Sequence, residues 1–194
     1  MPTLERAGLR SLTPLTFANK NYDDGLTPHS PEGRAAYARY GHEVLQHYGK
    51  KIGAVEIWNE YNGSFCKGPA TNDRPAFYAK MLAAAHDEAK RTRPDVTVLG
   101  GSTSGVPLPF LERVFQHGGL DHMDAVSIHP YRFGSPPEGI EETIDRLRIL
   151  IAKHSGGKPK PIWVTEIGWV LKPSKAPGDL AKSAEHTSEL QSPY

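Results

Sequence analysis

The stretch IWNEYNG, residues 57–63, ends an apolar run on an amide and a carboxylate, Asn59 and Glu60. A second stretch, PIWVTEIGW at residues 161–169, ends another apolar run on Glu166. Each run is short and apolar, which is typical of a buried strand. Polar side chains that follow separate buried strands predict one site where the ends of those strands meet.

Short apolar runs alternate with helical patterns along most of the chain. Ser30 is a favourable N-cap and Pro31 occupies the first position of the predicted helix that follows it. Asp73 and Pro75 open the next helix in the same way. Strict alternation predicts parallel strands joined by right-handed crossovers. The five predicted strands lie in residues 9–17, 54–58, 96–101, 125–131 and 161–169.

Two folds fit this alternation, a doubly wound sheet and a (β/α)₈ barrel. A doubly wound nucleotide-binding fold carries a glycine-rich phosphate loop after its first strand, and neither GxGxxG nor GxxxxGK(S/T) stands there. The stretch GGSTSG at residues 100–105 is only a weak candidate for phosphate binding. In a barrel, polar residues at the carboxyl ends of several strands converge on one mouth. Five residues at such ends favour the barrel: Asn59, Glu60, His129, Tyr131 and Glu166.

A complete (β/α)₈ barrel needs eight units and about 250 residues. Five strands in 194 residues therefore predict a partial barrel, which we expect to occupy residues 1–181. Residues 182–194 lack periodicity and resemble a translated sequencing adapter of the kind found at the ends of metagenomic gene fragments, so we exclude them from the fold. No secretory signal follows Met1, but the natural amino terminus is expected to lie upstream, which leaves the compartment open.

The composition excludes several classes of partner. Lys and Arg number 23 against 22 Asp and Glu, so no net field attracts nucleic acid or an anionic membrane. No segment reaches the roughly 18 consecutive apolar residues of a membrane helix. Cys66 is the single cysteine, which excludes an internal disulfide framework and a cysteine-rich zinc cluster, and we expect it to be an unreactive loop thiol. We expect a neutral or small partner and no cofactor, and the oligomeric state is left open.

Glu60 and Glu166 are the candidate catalytic pair. Carboxylates at the ends of different parallel strands can face each other across a barrel mouth, an arrangement that glycoside hydrolysis requires. One carboxyl group protonates the leaving oxygen, and the other attacks the anomeric carbon. A lone glutamate at a strand end is more often a solvated charge or a salt-bridge partner. Two of them, each flanked by a tryptophan, favour the catalytic interpretation.

The order of three motifs, WNE at 58–60, HPY at 129–131 and TEIGW at 165–169, resembles clan A of the glycoside hydrolases, the retaining (β/α)₈ enzymes. Within that clan, families 39 and 5 look most similar. Over roughly residues 9–170, the resemblance implies that strands three to seven are present, with Glu60 as the acid/base and Glu166 as the nucleophile. It also implies cleavage of O-glycosidic bonds, usually β-linked, through a covalent intermediate and with a carbohydrate as the partner.

The same resemblance implies further roles around these glutamates. Asn59 resembles the amide that bonds the sugar 2-hydroxyl, Tyr131 resembles the phenol that bonds the nucleophile, and His129 is a neighbour of the substrate or the acid/base. Trp58 and Trp169 could stack on sugar faces. Each has a structural alternative, since Asn59 could cap a turn, His129 could be a hydrogen-bonded core residue, and the aromatic side chains could belong to the barrel wall.

Two other functions are open at this point. A metal-dependent barrel hydrolase or isomerase would use His129, Glu60, Glu166 and Asp124 as ligands, but the chain has no HxH pair, and we expect no metal site. A non-catalytic carbohydrate-binding protein would keep the cleft without turnover. The sugar and the linkage do not follow from the sequence, although Asn19, Lys20 and Tyr22 follow the first predicted strand and could line the cleft.

Overall fold

The computed structural model describes residues 6–132 and 138–168, and Trp169 and the tail at 182–194 lie outside these ranges. Within them, all strands belong to one parallel sheet whose spatial order follows the order of the chain. The strands are β1 (Ser11–Leu15), β2 (Ile52–Ile57), β3 (Thr97–Ser104), β4 (Ala125–His129) and β5 (Ile162–Val164).

Four helices connect consecutive strands: α1 (Pro31–Tyr48), α2 (Arg74–Thr92), α3 (Leu108–Gln116) and α4 (Ile140–His154). The first two begin at the predicted N-caps. Ser30 Oγ accepts a hydrogen bond from the Gly33 amide at 2.9 Å, and Asp73 Oδ1 accepts one from the Ala76 amide at 3.4 Å. These bonds satisfy backbone donors that the first helical turn leaves without a partner.

The strand order decides between the two folds. A doubly wound sheet reverses its strand order at a switch point, and no reversal occurs among the five described strands. Each helix packs against the next one along the chain, so the helices lie side by side on one face of the sheet. This arrangement is that of a partial (β/α)₈ barrel, and the predicted fold class is confirmed. None of the described helices is long and apolar enough to span a bilayer.

The main core lies between the sheet and the helices. Leu45 of α1, Leu82 of α2 and Leu147 of α4 are fully buried against strand residues such as Val55 and Val126. Burying a leucine or valine side chain contributes about 1.5–3 kcal/mol relative to leaving it exposed. This core fixes the strand positions, and with them the places where the strands end.

A bulge in β3 shapes the carboxyl edge of the sheet. The register between β3 and β4 shifts between Gly100 and Thr103. Gly101 has a φ of +110°, and a Cβ atom there would lie 2.5 Å from the Ser127 carbonyl oxygen, so only glycine fits. The bulge presents the Ser102 carbonyl to the residues that follow β2, where the first candidate glutamate lies.

Candidate active site

Glu60 is held in a tight turn directly after β2. Trp58 and Glu60 have φ values of 68° and 45°, and a left-handed conformation costs a non-glycine residue roughly 1–2 kcal/mol. Hydrogen bonds to both neighbouring strands hold the turn: the Trp58 amide donates to the Leu15 carbonyl at 3.2 Å, and the Glu60 amide donates to the Ser102 carbonyl at 2.6 Å. The Glu60 side chain is 18% exposed, so only a small part of it contacts solvent.

His129, the last residue of β4, lies among three carboxylates. Its side chain is fully buried, and Nδ1 lies 3.3 Å from Glu60 Oε1 and 3.6 Å from Glu166 Oε2. On the other side of the ring, Nε2 lies 3.7 Å from Glu56 Oε1, an ion-pair distance that is too long for a hydrogen bond. The imidazole therefore links the two candidate catalytic glutamates to a third acidic residue.

Glu56 is a site residue that the sequence reasoning missed. It lies inside β2, is almost completely buried, and accepts a hydrogen bond from Thr165 Oγ1 at 2.7 Å. Thr165 precedes Glu166, so Glu56 also ties the segment after β5 to β2. The available signal was a charged residue in the middle of an otherwise apolar strand, because such a residue is almost never buried without a partner.

The pKa shifts in this cluster describe a buried ion pair. Burial alone would raise the pKa of Glu56, but contacts with His129 and hydrogen bonds to Ser127 and Thr165 outweigh burial and lower it. Burial alone would lower the pKa of His129, but the surrounding carboxylates, led by Glu56, outweigh burial and raise it. Both shifts favour an imidazolium beside a carboxylate.

Glu166 follows β5 by two residues, and its side chain is 42% exposed. Tyr131 Oη donates a hydrogen bond to Glu166 Oε2 at 3.2 Å. Partial burial raises the pKa of Tyr131, and the negative charges of Glu166 and Glu60 raise it further. The phenol therefore keeps its proton at neutral pH and acts as a donor to Glu166.

The two candidate glutamates converge at one edge of the sheet. One oxygen of Glu60, one of Glu166 and a ring nitrogen of His129 all lie within 4.8 Å of one another. Retaining glycosidases hold their two carboxyl groups about 5–5.5 Å apart, whereas inverting enzymes hold them about 6.5–9.5 Å apart to admit a water molecule. This close approach favours the retaining arrangement over the wider inverting one.

The structure corrects the prediction that Trp58 stacks on a sugar. The ring is 1% exposed and packs edge-on against Phe17 and Tyr61, because the left-handed turn directs it into the core. One of the rings that contact Trp58, Phe17, is itself exposed and adjoins a second exposed ring, Phe65. Phe17 is 50% exposed and Phe65 41% exposed, and they stack with their centroids 5.4 Å apart. The sequence reasoning missed both, although Phe17 ends the first predicted strand.

Four further residues were predicted to contact the substrate or to line its cleft. Asn59 is half-buried beside Glu60. Asn19, Lys20 and Tyr22 line a cavity of about 400 Å³ between the end of β1 and α1, and neither candidate glutamate contributes to its lining. These three residues, together with Phe17, therefore line a recess that is separate from the two glutamates.

Asp124 is excluded as a partner of Glu60, Glu166 and His129. It immediately precedes β4, at the amino edge of the sheet, whereas His129 ends the same strand. Its carboxylate accepts a hydrogen bond from the Val98 amide at 2.7 Å and pairs with Lys90 Nζ at 2.6 Å. The four-ligand metal site considered from the sequence does not form.

Comparison with known proteins shows similarity in structure. No protein-family model and no curated protein matches the chain. A family 39 glycoside hydrolase from Bacteroides cellulosilyticus WH2 is similar with a TM-score of 0.74 and 25% identity over 96% of this chain. A GH39 β-xylosidase from Caulobacter crescentus follows at 0.67 and 21% over 97%. A glucosidase from Croceicoccus marinus follows at 0.64 and 17% over 90%.

The chain spans 41%, 44% and 38% of the lengths of these three proteins. Identities of this size support similarity of fold. The resemblance to clan A glycoside hydrolases that the sequence indicated is confirmed at that level, because the similar structures are glycoside hydrolases of this architecture.

Proposed function

We propose that this chain forms part of the catalytic domain of a retaining glycoside hydrolase, with Glu60 as the acid/base and Glu166 as the nucleophile. The observation that carries the proposal is the approach of the two carboxylates to within 4.8 Å at the carboxyl edge of a barrel sheet. So close an approach favours direct attack by a carboxylate over the wider arrangement that admits a water molecule.

In the first step, a Glu166 oxygen attacks the anomeric carbon while Glu60 donates its proton to the departing glycosidic oxygen. The bond to the leaving group breaks as the ester bond to Glu166 forms. In the second step, Glu60 removes a proton from a water molecule, the resulting hydroxide attacks the anomeric carbon, and Glu166 leaves as a carboxylate. Two inversions give net retention of configuration.

The surroundings support this division of roles. Glu60 is the less exposed of the two side chains, at 18% against 42% for Glu166, so it lies deeper in the site. Glu166 receives the Tyr131 hydroxyl as a hydrogen-bond donor, a contact that stabilises its charged form. The contacts therefore distinguish the two carboxylates, because a phenol donates to Glu166 and the His129 ring faces Glu60.

His129 and Glu56 would set the charge of the site. With Glu60 protonated, the charges of Glu56, Glu166 and a His129 imidazolium sum to −1. A net negative site stabilises the positive charge that develops on the sugar ring in the transition state. The imidazolium also donates toward Glu60 and restricts the position of its carboxyl group.

The proposed substrate is a carbohydrate whose sugar faces carry axial C–H groups. Phe17 and Phe65 offer exposed aromatic faces that such groups can cover, in the role first considered for Trp58. Asn59 is proposed to bond the sugar 2-hydroxyl, a contact that strengthens in the transition state. The role of Trp169 in sugar stacking remains a prediction outside the described residues.

A metal-dependent hydrolase is the second candidate, because the Glu60, Glu166 and His129 ligand atoms lie close enough together to coordinate one ion. One experiment separates it from the glycosidase. The complete reading frame that contains this sequence is expressed and assayed on a panel of chromogenic glycosides with and without a chelator, and the anomeric configuration of the first product is read by NMR.

Hydrolysis that persists with the chelator and gives a product of retained configuration supports the proposal. Loss of activity with the chelator supports the metal-dependent alternative, and product of inverted configuration contradicts the two assigned roles. Oligosaccharide binding without any turnover would identify a carbohydrate-binding protein.

A further inference from the structure

A second group of side chains with metal-binding chemistry lies at the amino edge of the sheet, opposite the candidate active site. His86 and Asp87 are in the second half of α2, and His122 ends a short 3₁₀ helix, Gly119–His122, that precedes β4. Each imidazole approaches the same carboxylate oxygen. His86 Nδ1 lies 3.0 Å and His122 Nδ1 lies 3.3 Å from Asp87 Oδ1.

The spacing of these three atoms fits a tetrahedral ion. Zinc binds imidazole nitrogen at about 2.0–2.1 Å and carboxylate oxygen at about 2.0–2.2 Å. In a regular tetrahedron, neighbouring ligands are separated by about 1.6 times the bond length, which gives roughly 3.3 Å. The two Nδ1 to Oδ1 distances are 3.0 and 3.3 Å, and all three ligand atoms lie within 4.8 Å of one another. Two of the three ligand separations are therefore close to those of a tetrahedral shell.

Access and charge also suit a cation. His86 and His122 are partly exposed and Asp87 is mostly exposed, so an ion can enter from solvent. Asp87 supplies a carboxylate oxygen that both imidazoles already approach.

We propose that His86, Asp87 and His122 bind one Zn²⁺-like divalent transition-metal ion, with solvent completing a tetrahedral shell. The ligand set of two imidazoles and one carboxylate suits zinc, nickel and copper better than magnesium or calcium, which prefer oxygen ligands. The ion ties α2 to the segment that leads into β4, across 35 residues of sequence between Asp87 and His122. Its role is to stabilise this part of the fold.

The site is separate from the proposed glycosidase chemistry and does not depend on it. The sequence predicts no metal site here. The three side chains meet only when the turn before β4 packs against α2, so no local pattern reveals the cluster.

Calorimetric titration with ZnCl₂ tests the proposal on the dilute, tag-free 194-residue chain after chelator treatment and dialysis. We expect a site of one ion per chain whose affinity falls at least tenfold in His122→Ala. His117→Ala is the matched control, because His117 is exposed in the same stretch of chain and lies outside the cluster. Zinc should also raise the unfolding midpoint of the parent chain and of His117→Ala, and raise it much less in His122→Ala.

Asp87→Asn is the second variant, because Asp87 is a mostly exposed helix residue and its replacement preserves shape. It should weaken zinc binding by the same order as His122→Ala. A Glu166→Gln variant identifies any zinc bound at the active-site cluster. Zinc affinity unchanged in both His122→Ala and Asp87→Asn, or binding lost only in Glu166→Gln, would overturn the proposal. Failure of the parent chain to bind millimolar zinc would overturn it as well.

Discussion

Replacing Glu56 with glutamine removes one charge from a buried ionic contact beside the candidate catalytic pair while keeping the size of the side chain. Glu56 Oε1 lies 3.7 Å from His129 Nε2. With an effective dielectric constant of about 20, two unit charges at that distance attract each other by about 4 kcal/mol. Loss of this attraction removes the largest of the contacts that raise the pKa of His129, so we expect that pKa to fall in Glu56→Gln.

The loss should also destabilise the fold. Removing one partner of a buried ion pair typically costs 3–5 kcal/mol, and deprotonation of His129 relieves part of this cost. We therefore expect Glu56→Gln to lower the free energy of unfolding by roughly 3 kcal/mol. Glu43→Gln on the exposed face of α1 is the control and should change the unfolding free energy by less than about 0.5 kcal/mol.

The pH dependence of this effect has a defined sign. Because folding raises the pKa of His129, this residue contributes its full stabilisation at pH values below its ordinary pKa of 6.5. The contribution is lost as the pH rises through the folded-state pKa. Because folding lowers the pKa of Glu56, this residue contributes its full stabilisation at pH values above its ordinary pKa of 4.5. The contribution is lost as the pH falls through the folded-state pKa. The difference in stability between the parent chain and Glu56→Gln should therefore be largest between pH 4.5 and 6.5.

NMR titration of the His129 ring, together with denaturant unfolding at several pH values, measures both quantities. A His129 pKa that is the same in the parent chain and in Glu56→Gln would refute the ion pair. A loss of stability that is constant from pH 4 to 9 would show that Glu56 acts through packing or hydrogen bonding alone.

Three further predictions concern catalysis, substrate binding and association. In the complete reading frame, azide should rescue Glu60→Ala with retention and Glu166→Ala with inversion on an activated aryl glycoside, and exchanged outcomes would reverse the two roles. Phe17→Ala should raise KM for an oligosaccharide roughly 2- to 10-fold with little change in kcat, because stacking stabilises bound substrate and transition state alike. An unchanged KM would remove Phe17 from the binding surface. At high concentration the 194-residue chain should self-associate in size-exclusion chromatography, because β1 and β5 are edges of the described sheet and Trp163 is partly exposed on β5; a chain that stays monomeric at high concentration would contradict this.

Local signals predicted most of the architecture. Ser30 and Asp73 mark helix starts because their side chains satisfy backbone donors within three residues, which is information held in the adjacent sequence. The approach of Glu60 and Glu166 followed from topology, since the carboxyl ends of parallel strands share one edge. The structure places both glutamates at that edge, and their catalytic roles stay predictions.

Features that depend on packing between distant segments did not follow from the sequence. Trp58 was expected at the barrel mouth or in the wall, and a left-handed turn that no local pattern predicts directs it into the core. Glu56 lies on β2 and His129 on β4, on either side of β3. Their contact depends on this order of strands in the sheet, which no local sequence pattern encodes. Phe17 and Phe65 stack although the two residues belong to different loops.

The central claim is that Glu166 forms a covalent bond to the sugar. The most direct measurement incubates the complete enzyme with a 2-deoxy-2-fluoro glycoside that carries an activated leaving group, because such a reagent slows hydrolysis of the intermediate more than its formation. Mass spectrometry of the intact protein and of its peptides then locates the adduct. The account predicts one glycosyl group per chain, attached to Glu166 and absent in Glu166→Gln. An adduct on Glu60, or rapid turnover of natural substrate by Glu166→Gln, would contradict it.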